Sequence, residues 1–385
     1  MIERLKKIIE SKKTVLGVGP MSFNSVNAAI SIANKKSIPI ILIASRRQID
    51  SRLFGGGYVN NWTTEKYSSY VKKRDKKKNI ILARDHGGPW QNNLEINNKL
   101  SLNEAMKSAK KSFKEDIDSG FKILHIDTSM GLKKPPSASQ ALSRLFELYE
   151  YCCEYGLKQK KKLVFEIGTE EQSGTTNSPF ELEDTLNKIY NFCDKKRYQR
   201  PNFVVIQSGT RVLETRNIGS FESPVRIKNE LPVEIQLPKM IDICKKYNIF
   251  MKEHNGDYLS DDSLKWHPIL GIHSVNVAPE FGVAESKSII RLFKKFNLNK
   301  FIEEFIEISY NSNKWKKWMM PNTSTTDYEK AIISGHYIFS DKKFLRMKDE
   351  AKKFLQKKNV NIDKYLQADV EKSILRYVKL FKLIN

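Results

Sequence analysis

The sequence predicts an α/β chain closed into a (β/α)8 TIM barrel with a C-terminal helical extension. Three observations predict it. Eight short runs rich in Ile, Val, Leu and Phe recur along the 385 residues. Segments of helical period separate most of them, and strand alternating with helix implies a parallel sheet. The runs are continuous in hydropathy rather than alternating, as in strands buried on both faces. The length suits one barrel with an appendage, and a 40% hydrophobic content supports a sizeable core.

The elements follow in order. Met1–Lys13 reads as an amphipathic helix with Ile2, Leu5, Ile8 and Ile9 on one side. The expected strands are Thr14–Gly19, Pro39–Ala44, Asn79–Ala83, Lys122–Ile126, Lys162–Ile167, Asn202–Ile206, Asn248–Lys252 and Ser274–Ala278. Helical patterns lie between them, among them Ser101–Ser119, Ala138–Tyr155, Ser178–Asp194 and Leu237–Lys246. Beyond the eighth run, Phe301–Tyr310, Lys342–Lys357 and Val370–Leu383 read as helices, with Trp315-Lys-Lys-Trp318 between them. The expected division is a barrel over 1–305 and a helical extension over 306–385, packed on the barrel.

The strand ends carry the chemistry. In such barrels the active site gathers at the C-terminal ends of the strands. Asp85, His86, Asp127, Glu170, Gln207 and His254 stand at those ends. Asp85 and His86 are neighbours, and neighbours on a strand point to opposite faces. The run turns at once into Gly87 and Gly88, so both side chains can reach one site. Two imidazoles from different strands, a carboxylate and an amide oxygen suit a borderline divalent metal such as Zn2+. His125 lies inside the fourth run and reads as a satisfied core residue. His267 and His273 sit at the opposite end of the barrel, and His336 lies beyond it. The turn Phe54-Gly-Gly-Gly-Tyr58 could offer amides to an anion, yet it has neither P-loop nor dinucleotide spacing.

The net charge of +23 comes mostly from lysines scattered through helical stretches. That pattern favours solvated helix faces over a nucleic-acid stripe, and leaves anionic metabolites such as phosphorylated sugars as natural partners. Cys152, Cys153, Cys193 and Cys244 form no CxxC pair, which suggests a reduced, cytoplasmic protein. The N-terminal helix lacks a signal peptide's apolar core, and no run is long enough to span a membrane.

An ordered set of motifs resembles a known family. It runs from Gln48 and the Phe54–Tyr58 turn through Asp85-His86 with Gly88-Pro89, and Gly120-Phe121 with Asp127 and Ser129-Met130. It continues through Ile167-Gly-Thr-Glu170, the Gln207 strand end, and His254 with Asp257-Tyr258. The tail is similar around Trp315–Trp318 and Tyr337–Asp341. Together these resemble the accessory, so-called non-catalytic, subunit family of class II D-tagatose-1,6-bisphosphate aldolase. That family is similar in turn to zinc-dependent class II aldolases and to ketose-phosphate 4-epimerases.

The resemblance implies Asp85 as general acid or base and His86 and His254 as zinc ligands. Gln207 stands where those aldolases carry a third zinc histidine, and Glu170 completes the expected set. Asp127 is the candidate second catalytic acid. Gln48, Gly56, Ser208, Asn255 and Asn276 are the candidate substrate contacts. The implied function is retro-aldol and aldol chemistry at C3–C4 of a ketose phosphate, as a 4-epimerase or an aldolase. The alternative is an accessory chain that stabilises a class II aldolase catalytic subunit. A homo-oligomer is the other possible assembly, and neither nucleic acid nor membrane is an expected partner.

Overall fold

A computed structural model of the chain describes residues 2–168, 178–206, 210–219, 221 and 231–384. Ten strands appear in it: β1 (Val15–Val18), β2 (Ile40–Ser45), β3 (Ile80–Gly87), β4 (Ile123–Asp127), β5 (Val164–Gly168), β6 (Phe203–Ile206), β7 (Arg211–Leu213), β8 (Arg216–Ile218), β9 (Phe250–Glu253) and β10 (Ser274–Val277). Eight of them close a parallel barrel in the order β1, β10, β9, β6, β5, β4, β3, β2. The expected (β/α)8 fold is therefore the observed one. The hairpin β7–β8, inserted after the sixth barrel strand, is a feature the apolar runs did not announce.

Strand parity divides the side chains into two layers, because successive residues face opposite sides. Leu16, Val18, Leu82, Leu124, Ile126, Phe165 and Ile167 face outward and pack under the helices. Val15, Ile41, Ile43, Ile81, Ala83, Ile123, Val164 and Phe203 face inward and fill the barrel. Leu5 and Ile9, from the helix Ile2–Glu10, join that inner cluster. The N-terminal helix thus plugs the barrel floor with its apolar side. Most helices start as local chemistry requires. Ser101, Ser137 and Ser178 each form a capping box with the residue three positions on.

The C-terminal helices contribute to two apolar clusters. Phe344, Met347, Leu355 and Leu366 pack with Ile289, Phe293 and Phe305. Val370, Ile374, Tyr377 and Val378, on the helix Ile362–Leu380, join the main core beside the barrel helices. The division expected between residues 305 and 306 falls inside a single helix, Asn299–Asn311, whose Phe305 is fully buried. Among the described residues, no helix is long and apolar enough to cross a membrane.

Candidate functional site

The site begins with a distortion in β3. Arg84 pairs with Leu124 and Gly87 with Ile126, so three steps on β3 match two on β4. This bulge at Asp85 and His86 turns both side chains toward the barrel axis, against the alternation of a regular strand. His86 takes a left-handed backbone conformation, φ 46°, which a non-glycine residue holds only when its surroundings compel it. Gly88 follows closely over β4, and a Cβ there would collide with the Asp127 carbonyl.

Inward parity brings the other groups to the same place. His125 follows Ile123 on β4, Glu166 follows Val164 on β5, and Lys252 and His254 follow Phe250 on and after β9. The rings of His86, His125 and His254 lie with centroids 5.1–5.3 Å apart. Asp85, His125, Glu166 and His254 offer ligand atoms that all lie within 4.8 Å of one another. His254 Nε2 is 3.1 Å from Glu166 Oε1, and Lys252 Nζ donates to Glu166 Oε2 at 2.6 Å. Among the described residues, the buried Nε2 of His125 has no hydrogen-bond partner. Two imidazoles and two carboxylates this close together form a donor set whose chemistry fits a cation.

Behind this group stands a second pair. His86 Nδ1 lies 2.6 Å from Asp127 Oδ2, and Gln91 Nε2 donates to the same oxygen at 2.7 Å. The Ser129 amide and hydroxyl donate to Asp127 Oδ1. Burial opposes ionisation of all three carboxylates, and neighbouring cations overrule it. His86 and His254 hold Asp85 well below the usual carboxylate range. The hydrogen bond and charge of His86 bring Asp127 to about 2. Lys252 and the nearby histidines bring Glu166 to about 2. Burial also pulls His86 down, but Asp85 and Asp127 raise it to about 9. His254 moves the other way, lowered by burial that Asp85 and Glu166 only partly offset. One imidazole is therefore a cation at neutral pH while another keeps a free lone pair.

The cluster opens into a cavity of ≈ 390 Å³, within the size range of small-ligand sites. Asp85, His86 and His254 line it, with Gln48, Asn255 and Asn276 from the expected substrate contacts. Asn276 Nδ2 donates to Asp85 Oδ1 at 3.3 Å and leaves its own buried oxygen without a partner. Asp127 does not line the cavity and meets it through His86. Gly56 does not line it either, because its turn is folded against Trp62 and its amide donates to the Ser51 carbonyl. Glu170, Gln207 and Ser208 lie outside the described residues.

Of the two expected ligands among the described residues, His254 belongs to the four-residue donor group and His86 stands beside it. His125 is not the satisfied core residue its apolar strand suggested. With Glu166 and Lys252 it was missed because a single polar residue in an apolar run reads as core. The signal that finds all three is parity with the inward Ile123, Val164 and Phe250.

Comparison with known proteins agrees with this architecture. The structure is similar to that of a probable tagatose 6 phosphate kinase from Sinorhizobium meliloti 1021, at 17% identity and a TM-score of 0.71, covering 96% of this chain and 100% of that one. It is similar to the fructuronate-tagaturonate epimerase UxaE from Cohnella laeviribosi, at 12% identity and a TM-score of 0.56, covering 96% and 81%. It is also similar to fructose-bisphosphate aldolase from Campylobacter jejuni, at 13% identity and a TM-score of 0.50, covering 90% and 92%. Likeness at such identities shows a shared fold. The sequence itself matches a family model from residue 5 to residue 186, the span that holds Gln48, Asp85-His86 and Asp127. That model describes the D-tagatose-1,6-bisphosphate aldolase subunit GatZ/KbaZ-like family, and residues 5–186 of this chain are similar to it.

Proposed function

We propose that this chain breaks and remakes the C3–C4 bond of a ketose phosphate, with C4 epimerisation favoured over net cleavage. The observation that carries the reading is the buried donor group of Asp85, His125, Glu166 and His254 at the mouth of the barrel. His125, His254 and Glu166 would hold a divalent cation, zinc being the ion that such imidazole and carboxylate donors suit. The chemistry a cation supplies there is Lewis-acid polarisation of the ketose carbonyl.

The chain's own groups handle the protons. Asp85 is ionised and lines the cavity, so it accepts the O4 proton as C3–C4 breaks. His86, a cation held by Asp127, presents Nε2 3.6 Å from Asp85 Oδ2 and returns a proton to O4 after the bond re-forms. Asp85 then restores the proton to His86, so the cycle balances. Re-addition to the opposite face of the aldehyde gives the C4 epimer, and escape of the aldehyde gives an aldolase.

The test is metal analysis of the purified chain, followed by carbon NMR of the metal-loaded protein with a panel of ketose phosphates. The expected result is about one metal per chain and a change of configuration at C4 without free triose. His254→Ala is expected to strip the metal and His86→Ala to retain it. A metal-free chain, inert toward every ketose phosphate, would overturn the proposal.

One contact favours a second reading, an accessory chain for an aldolase catalytic subunit. The Lys252 ammonium already neutralises Glu166 inside the donor group, and a resident cation there competes with a metal. Turnover that appears only on adding a catalytic subunit would support this reading.

A further inference from the structure

We propose that Arg47, Lys314 and Lys317 form an anion-binding end of the cavity, which takes the terminal phosphate or carboxylate of a sugar whose reacting carbons lie toward Asp85 and His86. The inference rests on the sugar-enzyme reading above and names how that site selects its substrate. All three cations line the same cavity as Asp85, His86 and His254. Among the described residues, none of the three forms an ion pair. The buried Nε of Arg47 has no hydrogen-bond partner among the described residues. Its neighbour Arg46 has every side-chain nitrogen bonded, to Asp50, to the Gly88 carbonyl and to Ser108. A guanidinium N–H kept from water without an acceptor is unfavourable, and an anionic ligand would supply the acceptor.

Two other places among the described residues where this barrel could hold an anion are filled. The helix Pro279–Lys295 begins just after β10, and the first amides of such a helix attract negative charge. Here the Asp257 carboxylate accepts from the Ala278 amide at 3.1 Å and from the Glu280 amide at 2.7 Å. In the glycine turn, the amides of Gly55, Gly56 and Gly57 donate to the carbonyls of Arg52, Ser51 and Trp62. Both of these backbone sites are thus occupied by the chain itself, whereas the three cationic side chains are not.

These side chains sit on an anchored wall. The Glu214 amide, in the β7–β8 turn, donates to the Trp318 carbonyl at 2.6 Å. The Lys317 ammonium lies 4.6 Å from the ring centroid of Trp318 and 5.1 Å from that of Tyr337. Those rings hold it at the cavity wall. Tyr337 also packs on Tyr58, and Ser340 accepts from the Asn60 amide at 2.7 Å. The glycine turn and the C-terminal segment therefore meet over the cavity.

The experiment is calorimetric titration of the full chain with fructose 6-phosphate, fructuronate and neutral fructose. One anionic probe is expected to bind at least about ten-fold tighter than fructose, as charge-assisted bonds require. A preference for phosphate or for carboxylate identifies the anion, and either supports the site. Arg47→Gln and Lys317→Gln should each remove about ten-fold of that advantage and leave fructose binding unchanged. Lys316→Gln, on the same segment but outside the cavity wall, should bind as the parent does. Unchanged affinity in the Arg47 and Lys317 variants, equal loss in the Lys316 variant, or no preference for an anion would overturn the proposal. Binding is read without turnover: an inert protein that still selects the anion refutes the reaction reading alone.

Discussion

Two buried polar clusters that share β3 illustrate opposite uses of charge. Under β2 and β3, Arg84 grips Asp116 through two nitrogens and donates its third to the carbonyls of Ala44 and Ile49. Arg46 is bonded as completely, and both guanidinium groups are shut off from solvent. At the barrel mouth, Asp85, Asp127, Glu166 and three imidazoles crowd together, yet among the described residues His125 Nε2 and Asn276 Oδ1 lack partners. In the first cluster both guanidinium groups are fully bonded without a ligand and fix the strand ends. The second holds the charge and the unanswered atoms that a ligand would complete. Fully bonded guanidinium groups mark the scaffold here, and charged groups that face an open cavity mark the site.

The comparison can be broken most directly from the scaffold side. Arg84→Met leaves Asp116 buried without its cation, and such losses cost about 3–5 kcal/mol. Thermal or urea unfolding should register that loss, and a variant as stable as the parent would show the pair to be dispensable. From the site side, Asp85→Asn should keep fold and metal while turnover falls by roughly 10²–10⁴-fold. If stability dropped as far as in Arg84→Met, Asp85 would belong to the scaffold.

A third buried group sharpens the rule with a smaller effect. His336 is fully buried, with neither ring nitrogen partnered among the described residues, and burial with the Lys317 charge lowers it to about 3. Its folded value lies below the ordinary 6.5, so its neutral form is the one the fold accepts. Its contribution is present above pH 6.5 and lost as pH falls toward 3, by up to about 1.4 kcal/mol per pH unit. His336→Phe should flatten the acid limb of a stability–pH curve, and an identical limb would remove His336 from acid unfolding.

Much of this was legible in the sequence. The eight apolar runs became the eight barrel strands, with boundaries shifted by a residue or two except at β3, which extends to Gly87. That extension carries Asp85 and His86, and glycines after the acid–imidazole pair marked the change in backbone. His125, Glu166 and Lys252 were hidden because hydropathy averages over both strand faces. Only the inward positions, counted in twos, distinguish them. The Arg47, Lys314 and Lys317 grouping was not legible, since residues that distant in sequence meet only through the docking of the tail. The hairpin β7–β8 has strands of three residues, too short for a periodic signal.

The helix that plugs the barrel floor has a consequence for chemistry. With Leu5 and Ile9 packed among the inward strand residues, the barrel is a vessel stoppered at its base. If the proposed bond cleavage takes place, an aldehyde freed at the mouth could not drain through the interior. Its fate would be a race between diffusion outward and recapture by the carbanion it left. Residence time in that blind chamber, and not any difference in bond chemistry, would then decide between two fragments and one rearranged sugar.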